Sequence, residues 1–250
     1  MPFSVIAFYK NTNVAGWNTL VPVPDPIHRA EGTKLYVPDL NKLCGIYAIC
    51  EYGTQGRIRA PSLMSLAPYY LNKIKYDLSP ADRKFLIDLF DRPKTFIATE
   101  PLEVDIFVFD ATTPRNLCVL LFFGDGVITV PAGEVWTVQA IAKGTADRLW
   151  QWNNLPLEFA DTLAAGRYAI VGMKTNHDNV VGARLVSANW PHRPGVPGLS
   201  NVVYTEHERL TTGKMGLFGE FNHTNPPSID ILPKASVTDI PVFLDLVKVG

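Results

Sequence analysis

The sequence predicts an all-β fold, two β-sandwich (jelly-roll) units in tandem with one or two short helices. Three observations carry this prediction. Segments rich in Val, Ile, Phe, Tyr and Trp recur along the chain with turn residues between them. Twenty prolines and eighteen glycines are spread over 250 residues, which favours many turns over long helices. Three stretches of the first half also return, in the same order, in the second.

In chain order, strands are expected at 3–9, 18–24, 33–38, 43–52, 56–60 and 102–109, then at 117–123, 127–131, 134–143, 167–174, 180–187, 201–205, 228–232 and 241–249. Their length and spacing fit a sandwich or barrel better than a parallel sheet with helical crossovers. The stretch TVPAGEVWTVQAI reads as strand, turn and strand, with Trp136, Val138 and Ala140 on one face by the period-two rule. A helix is expected at about 79–92. Ser79 would cap it, Pro80 and Asp82 suit its first turn, and Phe85, Leu86, Leu89 and Phe90 form its apolar stripe before Pro93. PLEFADTLAAG, 156–166, is a candidate for a shorter helix ending at Gly166.

The repeats set the domain organisation. VIAFY from Val5 is echoed by VLLFF from Val119, GIYAI from Gly45 by GRYAI from Gly166, and PLEVDI from Pro101 by PVFLDL from Pro241. Three collinear matches indicate two copies of one unit, 1–112 and 113–250.

Composition narrows the function. A formal net charge of -1 without a Lys/Arg run argues against exposed, sequence-specific nucleic acid as a partner. A chain 47% hydrophobic and 19% charged suits a protein that buries surface against copies of itself. MPFSVIAFYK lacks the basic lead and cleavage site of a secretory signal, and the apolar run at 117–123 is too short to span a bilayer. Synthesis in a cytoplasm is therefore expected.

No catalytic, cofactor or metal site is expected. Cys44, Cys50 and Cys118 have no metal-ligand spacing and read as small core residues. None of His28, His177, His192, His207 and His223 stands in a paired-ligand pattern. TEHE at 205–208 reads as a solvated charged turn, and GDG at 124–126 as a tight turn without the lysine of a phosphate loop. Asp105 and Asp245 interrupt apolar strands. Each reads as a solvent-face residue or the partner of a cross-strand arginine, with Arg59 and Arg184 the candidates.

RLWQWNN, with Trp150 and Trp152, fits a sugar-stacking loop and a subunit interface alike. NWPHRPGVPGL, with Trp190, Arg193, Pro194 and Pro197, reads as a rigid extended loop suited to docking on a neighbour. For both stretches, anchoring on their own domain is the competing reading.

With its paired segments VIAFY/VLLFF, GIYAI/GRYAI and PLEVDI/PVFLDL, the chain resembles the double jelly-roll major capsid proteins of tailless icosahedral, often membrane-containing, bacteriophages and related viruses. The resemblance is one of architecture over the whole chain. It implies a homotrimer that forms a pseudo-hexagonal tile of an icosahedral shell. It also implies location in the virion, contacts with vertex or minor capsid proteins, and an internal membrane as a further contact. The alternatives are a phage spike or tail protein that binds a glycan or receptor through Trp150, Trp152 and Trp190, and a duplicated-barrel, cupin-like enzyme.

Overall fold

The computed structural model describes residues 2–63, 68–71, 86–198 and 213–250. Among them every regular element is a β-strand, and no helix is long and apolar enough to cross a membrane. The fold is all-β, of the β-sandwich, jelly-roll class. The chain divides into an N-terminal unit, Ile6–Gly124, and a C-terminal unit, which joins Met1–Val5 to Asp125–Gly250.

The N-terminal unit holds β1 (Phe3–Thr12, from Ile6), β2 (Gly16–Thr19), β3 (Val21–Pro22), β4 (Ala30–Glu31), β5 (Lys34–Tyr36), β6 (Lys42–Cys50), β7 (Gly53–Arg59), β8 (Tyr69–Leu71), β9 (Leu86–Asp88), β10 (Lys94–Thr95), β11 (Pro101–Val108) and β12 (Arg115–Gly124). One sheet runs β3-β1-β12-β6, with β9 and β10 both on β6. The other runs β4-β5-β11-β7-β8, with β2 also on β11. Strand β11 alternates as a half-buried strand should. Leu102, Val104, Ile106 and Val108 enter the core beside Ile6, Ile46 and Leu121, while Glu103, Asp105 and Phe107 occupy the other face. By contrast, β6 and β12 are buried on both faces from Leu43 to Cys50 and from Leu117 to Gly124, which explains their unbroken apolar runs.

The C-terminal unit holds β13 (Val135–Ala146), β14 (Asn153–Leu155), β15 (Leu157–Phe159), β16 (Arg167–Thr175), β17 (Val180–Val186), β18 (Gly195–Pro197), β19 (Gly219–Asn222), β20 (Ser228–Pro233) and β21 (Val237–Lys248). Its sheets run β15-β13-β21-β16-β19 and β14-β20-β17-β18. Set beside the N-terminal unit, β13-β21-β16-β19 repeats β1-β12-β6-β9, and β14-β20-β17-β18 repeats β2-β11-β7-β8. In both units the first strand therefore lies next to the last and the second next to the last but one, the neighbour pattern that wraps a long hairpin into two facing sheets.

Several expectations are corrected. The units meet at 124/125 rather than 112/113, because VLLFF lies in β12 and pairs with GIYAI in β6. It closes the first unit and does not open the second. Only GIYAI/GRYAI joins equivalent strands, β6 and β16. The true counterpart of PLEVDI, which carries Asp105 in β11, is PPSIDI, which carries Asp230 in β20, whereas PVFLDL lies in β21.

For the helix expected at about 79–92, residues 79–85 lie outside the described residues. Leu86–Asp88 is strand β9 on Gly45–Tyr47, followed by a turn in which Arg92 N–H donates to the Leu89 carbonyl. The absence of a side chain at Gly45 admits Leu86 and Phe90 to this contact. The second helix candidate is strand β15 and a non-helical connection. Residues 127–131 join no sheet, and the strand expected at 201–205 lies outside the described residues.

Candidate functional site

The polar side chains that the fold organises most closely form one row in each unit. In the N-terminal unit Asp105 of β11 stands opposite Thr19 of β2 on one side and Arg57 of β7 on the other. Thr19 Oγ1 donates to its carboxylate at 2.8 Å, Arg57 Nε at 2.8 Å and Arg59 Nε at 2.7 Å. Arg59 also pairs with Glu103 at 3.0 Å. Burial pushes the Asp105 carboxyl up, but the hydrogen bonds from Arg59, Arg57 and Thr19 outweigh it and hold the group below the usual carboxylate range.

The C-terminal unit repeats this row in register. Asp230 of β20 stands opposite Asn154 of β14 and Arg184 of β17. Asn154 Nδ2 donates at 2.9 Å and Arg184 Nε at 2.9 Å. The likeness extends to the tryptophan two residues before the row. Arg57 lies 4.1 Å over the ring of Trp17, and Arg184 lies 4.1 Å over the ring of Trp152. Between tryptophan and row, Asn18 and Asn153 are buried and tie down the preceding turns. Asn18 Nδ2 donates to the carbonyls of Val14 and Gly16, and Asn153 Nδ2 to those of Arg148 and Gln151. A sequence repeat marks all of this, WNTL at 17–20 and WNNL at 152–155, a signal carried by polar residues and not by the apolar runs. The two rows differ in access. The Arg57 side chain is 26% exposed and that of Arg184 only 1%.

Two carboxylates thus find arginines, though not both as expected. Asp105 takes Arg59, as anticipated, together with Arg57. Arg184 pairs with Asp230, and Asp245 instead accepts from Thr137 Oγ1 at 2.6 Å.

Of the expected interface residues, Trp150, Trp152, Pro194 and Pro197 are buried within the chain, and Trp190 and Arg193 are half-buried. Trp150 and Trp152 are buried, so neither presents an indole face to a glycan or a neighbour. Trp150 adopts φ 58°, and its N–H donates to the Pro233 carbonyl. Arg148 Nη2 donates to the Trp152 carbonyl, so RLWQWNN is an anchored turn. The proline-rich loop is in part a strand. Pro194 and Pro197 are buried, and Pro197 pairs with Gly182 in β17. Trp190 and Arg193 are half-buried. Trp190 Nε1 donates to the Glu220 carbonyl, and its ring stacks on His192.

Among the described residues no group of three or more His, Cys, Asp or Glu side chains is placed to hold a metal ion. TEHE, with His207, lies outside them. Cys44, Cys50 and Cys118 are buried free thiols, and burial pushes Cys50 up to about 12.

No known protein family matches the sequence, and no curated protein does. Among solved structures, a Paenibacillus xanthan lyase is similar to this chain at 10% identity and a TM-score of 0.25, over 99% of this chain and 25% of the lyase. The chain thus spans about a quarter of that protein, and a likeness at this level carries no argument about fold or function.

Proposed function

We propose that the chain is a major capsid protein, a double jelly roll that trimerises into pseudo-hexagonal tiles of an icosahedral virus shell. The observation that supports this reading is repetition: two units share one pattern of strand neighbours and one acid–arginine–tryptophan row. Duplication lets three chains present six similar sandwiches, so a threefold assembly approximates a sixfold tile. Such a tile needs many contacts of ordinary size and no active centre. Its partners are its own copies, then vertex or minor capsid proteins, with an internal membrane as a further contact; sequence-specific nucleic acid is not among them. Its place is the virion.

The glycan-binding alternative loses support where Trp150 and Trp152 are buried, and nothing favours it otherwise. Mass photometry of the purified protein, followed by negative-stain microscopy, tests the proposal. Trimers that assemble into closed shells are expected. A stable monomer that binds a sugar would overturn the reading in favour of the spike alternative.

A further inference from the structure

Phe3–Val5, at the head of β1, belong to the C-terminal unit and are buried in it. One loop residue fastens them. Val5 N–H donates to the Arg193 carbonyl at 2.8 Å, and Arg193 N–H donates to Ser4 Oγ at 3.0 Å. Both bonds depend on the backbone of Arg193, in the loop between β17 and β18. Arg184 Nη1 also donates to the Val5 carbonyl at 3.3 Å, and the Phe3 ring meets Phe218 edge-on at 4.9 Å.

The loop is pinned on either side of Arg193. Leu185 N–H donates to the Pro194 carbonyl at 2.7 Å, and Trp190 Nε1 donates to the Glu220 carbonyl at 3.1 Å. The indole lies against the backbone of Gly219, where a Cβ would stand 2.3 Å from the ring. His192 stacks on this fixed indole, with 10° between the planes and 6.5 Å between the centroids, and is followed directly by Arg193.

A neutral imidazole suits this place and an imidazolium does not. The ring is half-buried, so a charge on it is poorly hydrated, and it stands beside a residue that is always cationic. The indole gives no compensation, because its centroid lies beyond the roughly 6 Å over which it attracts a cation. Burial is the main cause that holds His192 below the ordinary histidine range. Arg193 and the amino group at the head of the chain act in the same direction, and Asp125 opposes them. A group that binds its proton less readily in place than in water favours the fastened loop above the ordinary histidine value, about 6.5. It opposes the fastened loop as pH falls through that value. The strain is relieved when the loop lifts, and lifting takes the Arg193 backbone away from Ser4 and Val5.

We propose that His192 makes the anchoring of Phe3–Val5 pH-sensitive, so that the loop holds the leading segment at neutral pH and releases it in mild acid. The device lies within the C-terminal unit and does not depend on whether the chain builds a shell.

Hydrogen exchange of the intact protein, resolved to the Val5 amide by fragmentation mass spectrometry and corrected for intrinsic rates, tests this at pH 7 and pH 5. The lower pH stays above the ordinary carboxylate range. One proton with an ordinary value near 6.5 can raise the opening constant by at most about 25-fold between these conditions, so protection of Val5 should fall by about 3- to 25-fold in the wild type. His192→Phe keeps an aromatic ring for Trp190 but does not titrate, and its Val5 protection should be equal at both pH values; His192→Gln serves if H192F does not fold. The amides of β6 should be unchanged throughout. Wild-type protection that does not fall, a fall of the same size in the non-titrating variant, or a fall shared by β6 would each overturn the proposal.

Discussion

Replacing the two row arginines separates what the fold asks of them. In Arg184→Ala the lost side chain is 1% exposed and its partner Asp230 only 10%. The carboxylate keeps Asn154 as a donor but loses its counter-charge. Removing one member of a buried ion pair costs about 3–5 kcal/mol. In Arg57→Ala the carboxylate of Asp105 keeps Arg59 and Thr19, and the lost side chain was 26% exposed. Partly exposed pairs contribute about 0.2–1 kcal/mol. Urea unfolding followed by tryptophan fluorescence measures the contrast. It reports mainly on the C-terminal unit, which holds Trp136, Trp150, Trp152 and Trp190, while Trp17 reports on the other. With a slope of about 2 kcal/mol per M, R184A lowers the C-terminal midpoint by roughly 2 M, and R57A shifts the N-terminal one by about 0.5 M or less. Equal losses in the two variants would refute the assignment of buried and open rows.

Asp105→Asn tests the depressed carboxyl. A folded value below the unfolded one stabilises the fold above the ordinary carboxylate range, and that stabilisation is lost as pH falls through about 4 and below. The stability gap between wild type and D105N should therefore be full at pH 7 and shrink at pH 3; a gap independent of pH contradicts the account. Gly195→Ala places a Cβ 2.2 Å from the Ala183 carbonyl oxygen, which is backbone, so thermal unfolding should show a loss of about 1–3 kcal/mol. An unchanged melting temperature would mean that β17 and β18 are not this close. The thiols of Cys44, Cys50 and Cys118 are buried, so a maleimide at pH 7 should label none in the native protein and all three in urea. Rapid native labelling of any one refutes its placement.

The strands were legible wherever packing and local chemistry agree. β11 alternates cleanly, and β6, β12 and β16 are apolar runs of strand length. The short partners β8, β9, β10, β14, β18 and β19 were not, because two to four residues carry no period and are held by the ladder they join. β9 and the turn after it mimic a helix stripe, since Leu86, Leu89 and Phe90 are apolar at helical spacing, while Leu86 and Phe90 pack against Gly45 of β6. VLLFF misled for another reason. Adjacent strands of one sheet, β1 and β12, share a composition because they share a core, so their likeness is no mark of duplication. The better mark lay in polar residues. WNTL/WNNL and VDI/IDI recur because the turn-capping asparagine and the row acid each do a specific job in both units. Trp150 and Trp152 look like contact residues because aromatic clusters beside arginine occur at interfaces, and it is their burial, the Trp150 N–H bond to the Pro233 carbonyl and Arg184 over the Trp152 ring that mark them as anchors.

Counting copies of this chain in purified particles, by quantitative mass spectrometry together with negative-stain imaging, tests the central claim most directly. Hundreds of copies in an icosahedral shell are the expected result. A handful per particle, or none in any particle, would contradict a shell tile.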